Sequence, residues 1–190
     1  MGKILSLGVV SMVLSANLFA ISLDEKSVKV NFEGYKTPTM IGTKGVFTKI
    51  NLKLNKDKSS LSKQLTNASV TLSPKDIDMG GEENQVITDN IINVFFKELN
   101  MQKDVKVVLE SVLEGENTGL ISARVTIGKQ NTLVPLVYTI KDGEFKADGK
   151  LDLLVFSNAP KALKALSEVA PGHLGVSWSL VDILVSAKVK

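Results

Sequence analysis

Along most of this chain apolar and polar residues alternate with period two, and that pattern limits the fold more than any other feature. Val28, Val30 and Phe32 alternate with Ser27, Lys29, Asn31 and Glu33. Ile50, Leu52 and Leu54 alternate with Lys49, Asn51 and Lys53, and Ala68, Val70 and Leu72 with Ser69, Thr71 and Ser73. Val105, Val107 and Leu109 continue the pattern, then Ile121, Ala123, Val125 and Ile127. Val181, Ile183, Val185, Ala187 and Val189 close it. Period two puts every second side chain on one face of a strand. One apolar face per strand predicts antiparallel pairing, with the other face in water.

The stretch LVPLVYTIKDGEFKADGKLDLLVF supplies two more strands around Asp142-Gly143, which brings the total to about eight. Asp-Gly suits a two-residue type I′ hairpin. That register sets Ile140 opposite Phe145, Tyr138 opposite Ala147, Leu136 opposite Gly149 and Val134 opposite Leu151. Directly opposed residues share a face, so large side chains lie beside the small Ala147 and Gly149. Val137 with Asp148, and Pro135 with Lys150, then form the wet face. Phe47 and Ile50 have opposite parity, which predicts a β-bulge between them.

The links are short: Glu114 to Gly119 and Gly128 to Asn131 read as loops, and Ser59-Ser60-Leu61-Ser62 as a polar loop. Two stretches leave the β pattern. Asn84 to Leu99 places Ile87, Ile91, Val94, Phe95 and Glu98 at helical spacing, with Asp89 and Asn93 on the other side. Ala159 to Val169 places Ala162, Leu163, Leu166 and Val169 on one face. Ser157 or Asn158 can cap this second helix, Pro160 suits its first turn, and Pro171-Gly172 stops it. Eight antiparallel strands with two short helices make either a closed barrel or a two-sheet sandwich.

The chain has 190 residues, enough for one domain with a sizeable core. Its first twenty residues, MGKILSLGVVSMVLSANLFA, join one lysine, Lys3, to an apolar run from Ile4 to Leu14. That is the layout of a secretory signal peptide. Leu18 and Ala20 fit positions −3 and −1, so cleavage is expected after Ala20, with residues 21–190 as the exported domain. The expected location is periplasmic or secreted. No later segment is long and apolar enough to anchor the mature chain in a bilayer. Loss of Lys3 lowers the net charge from +3 to +2. Lysines and acids are interleaved, which argues against a nucleic-acid partner. The absence of cysteine excludes disulfides and thiolate chemistry.

Catalytic residue types are sparse. His173 is the one histidine and lies in a Gly/Pro-rich loop, which reads as surface. No His, Asp or Glu cluster has metal-ligand spacing. Asp76, Asp78, Glu82 and Glu83 read as solvated loop charges near a helix start, and Gly80-Gly81 lacks the flanking pattern of a phosphate loop. No nucleophile–base–orienter set is visible, so neither catalytic nor metal residues are expected. The apolar faces themselves, with Phe95, Phe96, Tyr138 and Trp178, suit either a packed core or a ligand cavity.

Several segments together resemble the YceI-like family of exported bacterial proteins. They are Ser27-Val28-Lys29-Val30-Asn31-Phe32, then Gly45-Val46-Phe47, then Ala68-Ser69-Val70-Thr71-Leu72 followed by Asp76-Ile77-Asp78. Phe95-Phe96 follows, then VPLVYTIKDGEFKADGKLDLLVF, the most specific match, and finally Trp178 to Ile183. The resemblance spans residues 22–189. The chain departs from the family after Asp78, where Met79-Gly80-Gly81 stands and no arginine follows; its single arginine is Arg124.

The resemblance implies a mainly β fold, an eight-stranded antiparallel lipocalin-like barrel with two short α-helices. It implies a non-covalently held polyisoprenoid, isoprenoid quinone or fatty-acyl chain in the interior, for carriage or sequestration, with no other cofactor, no metal and no catalysis. The expected wall is Val30, Phe32, Phe47, Ile50, Val70, Phe95, Phe96, Val107, Leu109, Ala123, Val125, Leu136, Tyr138, Ile140, Ala147 and Ile183. Tyr138 could orient a polar head through its hydroxyl. The competing reading is an envelope interaction or stress protein with a solid barrel, whose partner binds at Leu133, Pro135 and Val137. A lipid or quinone enzyme using the same tunnel lacks a visible acid/base pair. A homodimer is left open.

Overall fold

The computed structural model describes residues 21–99 and 104–190 of the chain. The expected signal peptide, residues 1–20, lies outside the described residues.

The alternating stretches form one antiparallel sheet of ten strands, where about eight were expected. In chain order they are β1 (Lys29–Lys36), β2 (Ile41–Phe47), β3 (Asn51–Lys53), β4 (Ser69–Leu72) and β5 (Ile77–Asp78). Then come β6 (Val105–Glu114), β7 (Thr118–Ile127), β8 (Gln130–Lys141), β9 (Glu144–Asp152) and β10 (Ser177–Lys188). The spatial order is β3-β4-β6-β7-β8-β9-β10-β1-β2-β5.

The difference in count comes from two bent strands. β2 pairs with β5 through Val46–Asp78 and Phe47–Ile77, while β3 pairs with β4 from Asn51–Thr71 to Lys53–Ser69. Only Thr48 to Ile50 separate β2 from β3, and only Ser73 to Asp76 separate β4 from β5. The Thr48 N–H bridges this gap by donating to the Asp76 carbonyl at 2.8 Å. The two ends of the strand order are therefore continuations of one paired ribbon, and the circuit of strands closes as a barrel. Counted as single bent strands, the two pairs restore eight. The irregularity expected between Phe47 and Ile50 falls at this bend, where the register changes by two residues. It lets both side chains pack against the core despite their opposite parity.

The central hairpin follows its sequence. Asp142 and Gly143 have φ of 53° and 77°, the left-handed pair a type I′ turn requires. Ile140 pairs with Phe145, Tyr138 with Ala147 and Val137 with Asp148. The ladder stops there, two residues short of Pro135, which has no N–H to donate to β9. The expected pairs Leu136–Gly149, Val134–Leu151 and Pro135–Lys150 therefore lie outside it. Leu136 still leans over Gly149: a Cβ on that glycine would sit 2.6 Å from Leu136 Cδ2.

Both expected helices form, with one addition and one distortion. The addition is α1 (Leu61–Leu65), in the stretch expected to be a polar loop. Ser60 caps it by accepting from the Lys63 N–H, and Glu114 accepts from the Leu61 and Ser62 N–H groups. These bonds satisfy the donors that a helix start leaves free, while Leu61 and Leu65 go into the core. The expected Asn84–Leu99 helix is α2 (Gln85–Asn90), a π turn at Ile91–Phe95, and α3 (Phe96–Glu98). In the π turn the Phe96 N–H reaches the Ile91 carbonyl. Residues five apart then share a face, so Ile91, Phe95 and Phe96 all turn inward. α4 (Ala159–Val169) buries Ala159, Ala162, Leu163 and Leu166. Asn158 stands at its N-cap without a side-chain bond, and Pro160 occupies the first turn.

α1 covers the barrel end where β3 stops and β4 starts. α4 packs on the π turn and α3 at the opposite end, with Lys161 bonded to Glu98 at 2.6 Å.

Candidate functional site

Inside the barrel is a cavity of about 250 Å³. Pockets for small molecules usually begin near this size, about 300 Å³. Its wall is built from inward positions of nearly every strand, with Leu65 of α1, Ile91 and Phe95 of the π turn, and Leu163 and Leu166 of α4.

Most of the residues expected in the wall are there. Val30, Phe32, Phe47, Val70, Phe95, Phe96, Val107, Leu109, Ala123, Val125, Leu136, Ala147 and Ile183 all border the cavity. Phe32 and Phe47 pack ring to ring at 5.7 Å, and Phe95 and Phe96 edge to face at 5.2 Å.

Ile50, Tyr138 and Ile140 do not border it. Ile50 sits at the β2–β3 bend and Ile140 beside the hairpin turn, both packed against the core instead. Tyr138 is fully buried, stacked on Phe145 at 5.3 Å. A Cβ on Gly119 would lie 2.5 Å from its ring, so the bare backbone of β7 makes room for the ring. Its hydroxyl has no hydrogen-bond partner among the described residues. Burial, then the charge of Glu114, pushes its pKa up, against a weaker pull from the Gly115 N–H. That N–H already donates to Thr118 O at 2.9 Å. In this structure Tyr138 therefore belongs to the packed layer and does not face the cavity.

Other wall residues were not assigned from sequence. Leu65 comes from α1, and Leu163 and Leu166 from α4. The apolar face of α4 was legible, but nothing in the pattern said which surface it covers. A polar group also reaches the wall at the α4 end: Lys36, Thr43, His173, Ser177 and Trp178. His173 is half-buried there, not on the open surface as its loop suggested. Its Nδ1 lies 2.7 Å from Ser177 Oγ. Burial, then the nearby charge of Lys36, lowers its pKa from the ordinary 6.5, so the ring is neutral at pH 7. The Trp178 indole N–H donates to the Thr37 carbonyl at 2.7 Å and ties the β1–β2 loop to the loop before β10.

The charged clusters lie outside. Arg124 forms a fork with Glu110 and also donates to Asn131 at 2.7 Å. Asp182 accepts from Lys150 at 2.5 Å and from Tyr35 at 2.8 Å, and the Lys150 bond holds its carboxyl below the usual range. Asp78 takes the Gly80 and Gly81 N–H groups at 2.9 and 2.7 Å, a local turn that accounts for the acid–glycine stretch. Among the described residues no group of His, Asp and Glu could hold a metal ion.

No family model matches the chain, and no curated protein matches it significantly. Solved structures do. BcnA of Burkholderia cenocepacia superimposes with a TM-score of 0.59 at 15% identity, over 89% of this chain and 99% of BcnA. The YceI protein of Campylobacter jejuni gives 0.55 at 18% identity, over 78% of this chain and 86% of its own. The chain has the fold of the YceI proteins. This YceI-like fold agrees with the motif order in the sequence and with the lipocalin-like barrel expected from it. No described helix of the chain is long and apolar enough to cross a membrane.

Proposed function

We propose that this chain is an exported member of the YceI-like family. It binds a long apolar molecule, a polyisoprenoid, isoprenoid quinone or fatty-acyl chain, inside the barrel for carriage or sequestration. The observation that carries this reading is the interior cavity of about 250 Å³ with its aliphatic and aromatic wall. A void that size in an ordinary core forfeits packing, whereas a chain that fills it gains about 0.8 kcal/mol for each CH₂ removed from water. Ten carbons would then support micromolar binding after ordering costs, roughly. The wall offers bulk rather than reacting groups, which favours holding over converting.

Trp178 is the only tryptophan and borders the cavity, so its emission reports on occupancy. Purified protein is expected to release a stoichiometric lipid into organic solvent. Stripped protein should then change its tryptophan emission on titration with fatty acids or prenyl compounds. A clean extract together with flat titrations to tens of micromolar, roughly the affinity argued above, overturns the proposal.

One observation favours a surface partner as a second reading. Leu113, Leu120 and Val137 are cross-strand neighbours on the outer face and are 68%, 47% and 48% exposed. Leu133 and Pro135 lie exposed on the same strand as Val137. Cross-linking in cells that traps one defined protein through this face, with no lipid recovered, would support it over the first.

A further inference from the structure

The polar residues of the cavity wall, Asn31 apart, gather at one end, where β1 leaves the barrel and β10 enters it. Lys36 is the last residue of β1. It follows the irregularity at Gly34–Lys36 and stands opposite Ser177 on one side and Ile41 on the other. It is half-buried, borders the cavity, and forms no ion pair among the described residues. A Cβ on Gly172 would lie 3.9 Å from Lys36 Nζ, so the ammonium rests against the loop that carries His173. With Nδ1 engaged by Ser177, Nε2 is the ring nitrogen left to meet a ligand.

Among the described residues no acid stands within ion-pair distance of Lys36. Asp182 is committed to Lys150 and Tyr35 on the outer face. Lysine is rarely taken out of water without a partner; Lys36 is half-buried, with an apolar cavity beside its stem. An apolar tail would fill the void, and an acidic end at the mouth would neutralise the ammonium.

We infer that the ligand ends in a carboxylate, and that Lys36 binds this head as its counter-ion with His173 and Ser177 beside it. The inference rests on the cavity-binding reading above and names its ligand class. The number of charges selects the head. One ammonium and a neutral imidazole match a mono-anion, whereas a diphosphate would set several negative charges against one positive charge. The chain's only arginine, the side chain suited to such groups, is on the outside with Glu110.

The test uses stripped full-length mature protein and three probes: dodecanoate, dodecanol and geranylgeranyl diphosphate. Affinities are read by calorimetry and by Trp178 emission. Dodecanoate is expected to bind about tenfold or more tighter than dodecanol, the scale of one charge-assisted hydrogen bond. Lys36→Gln should bring the two together by weakening the acid and leaving the alcohol unchanged. The variant should melt with the parent, because no ion pair is lost. Equal binding of acid and alcohol, or equal weakening of both by Lys36→Gln, overturns the inference and leaves the cavity reading intact. Diphosphate binding about tenfold tighter than the carboxylate also overturns it. Failure of all three probes removes the cavity reading, and the head-group inference with it.

Discussion

At the α1 end of the barrel, Leu61 and Leu65 press into the interior. Gln64, 1% exposed, accepts from the Leu23 N–H at 2.7 Å and donates to the Leu23 carbonyl at 3.1 Å. At the other end Gly34 borders the cavity, with nothing within 4 Å of where its Cβ would be, and Lys36 forms no ion pair among the described residues. The same alternating strands run between the two. One end is finished with paired backbone groups and a plug of leucine. The other leaves space and a lysine without an ion pair among the described residues. Among the described residues every buried side-chain polar atom but the Tyr138 hydroxyl has a hydrogen-bond partner, whereas Lys36 forms no ion pair there.

The largest expected effect lies at the closed end. Gln64→Ala strips two partners from the buried Leu23 backbone and should cost about 2–6 kcal/mol, since each buried unpaired group costs about 1–3 kcal/mol. Urea unfolding measures it; a loss under about 1 kcal/mol would mean that this end is no better built than the mouth. The open end should respond in the opposite way. Gly34→Leu projects a side chain into empty space at a position where φ is not positive. It should leave stability within about 1 kcal/mol and weaken lipid binding by about tenfold or more. Unchanged affinity would show that the ligand does not pass Gly34. The smallest effect concerns Tyr138, which the structure assigns to the packed half. Tyr138→Phe removes a buried hydroxyl without a partner, so stability should stay level or rise by up to about 1 kcal/mol. Lipid affinity should not move; a loss would return Tyr138 to the binding site.

Much of this was legible in the residues. Parity placed Val30, Phe32, Val107, Ala123, Val125 and Leu136 on the inner face, and the structure agrees. Asp142-Gly143 set the hairpin register through its left-handed backbone. Tyr138 and Ile140 have the right parity but sit next to the hairpin turn, where the wall is already filled by Phe145. Period two reports which side of the sheet a residue faces. It carries no information on height along the barrel axis, and the cavity occupies only part of that height. The third helix was missed because Leu61 and Leu65 are too few to show a helical period. Its stability comes from Ser60 and from Glu114 on a distant strand.

By itself the sequence determined a mainly β fold, its inner and outer faces, its central turn, the two helical stretches and a likeness in motif order to the YceI-like proteins. These are local properties: alternation, turn chemistry and capping act over a few residues at a time. Only the tertiary structure decided that the ribbon of β2–β3 with β4–β5 closes the ring, that one end is plugged, and that Lys36 meets His173 and Ser177 at the other. The residues at that mouth come from opposite ends of the chain. Barrel closure brings β1 and β10 side by side, and no spacing along the sequence records that meeting.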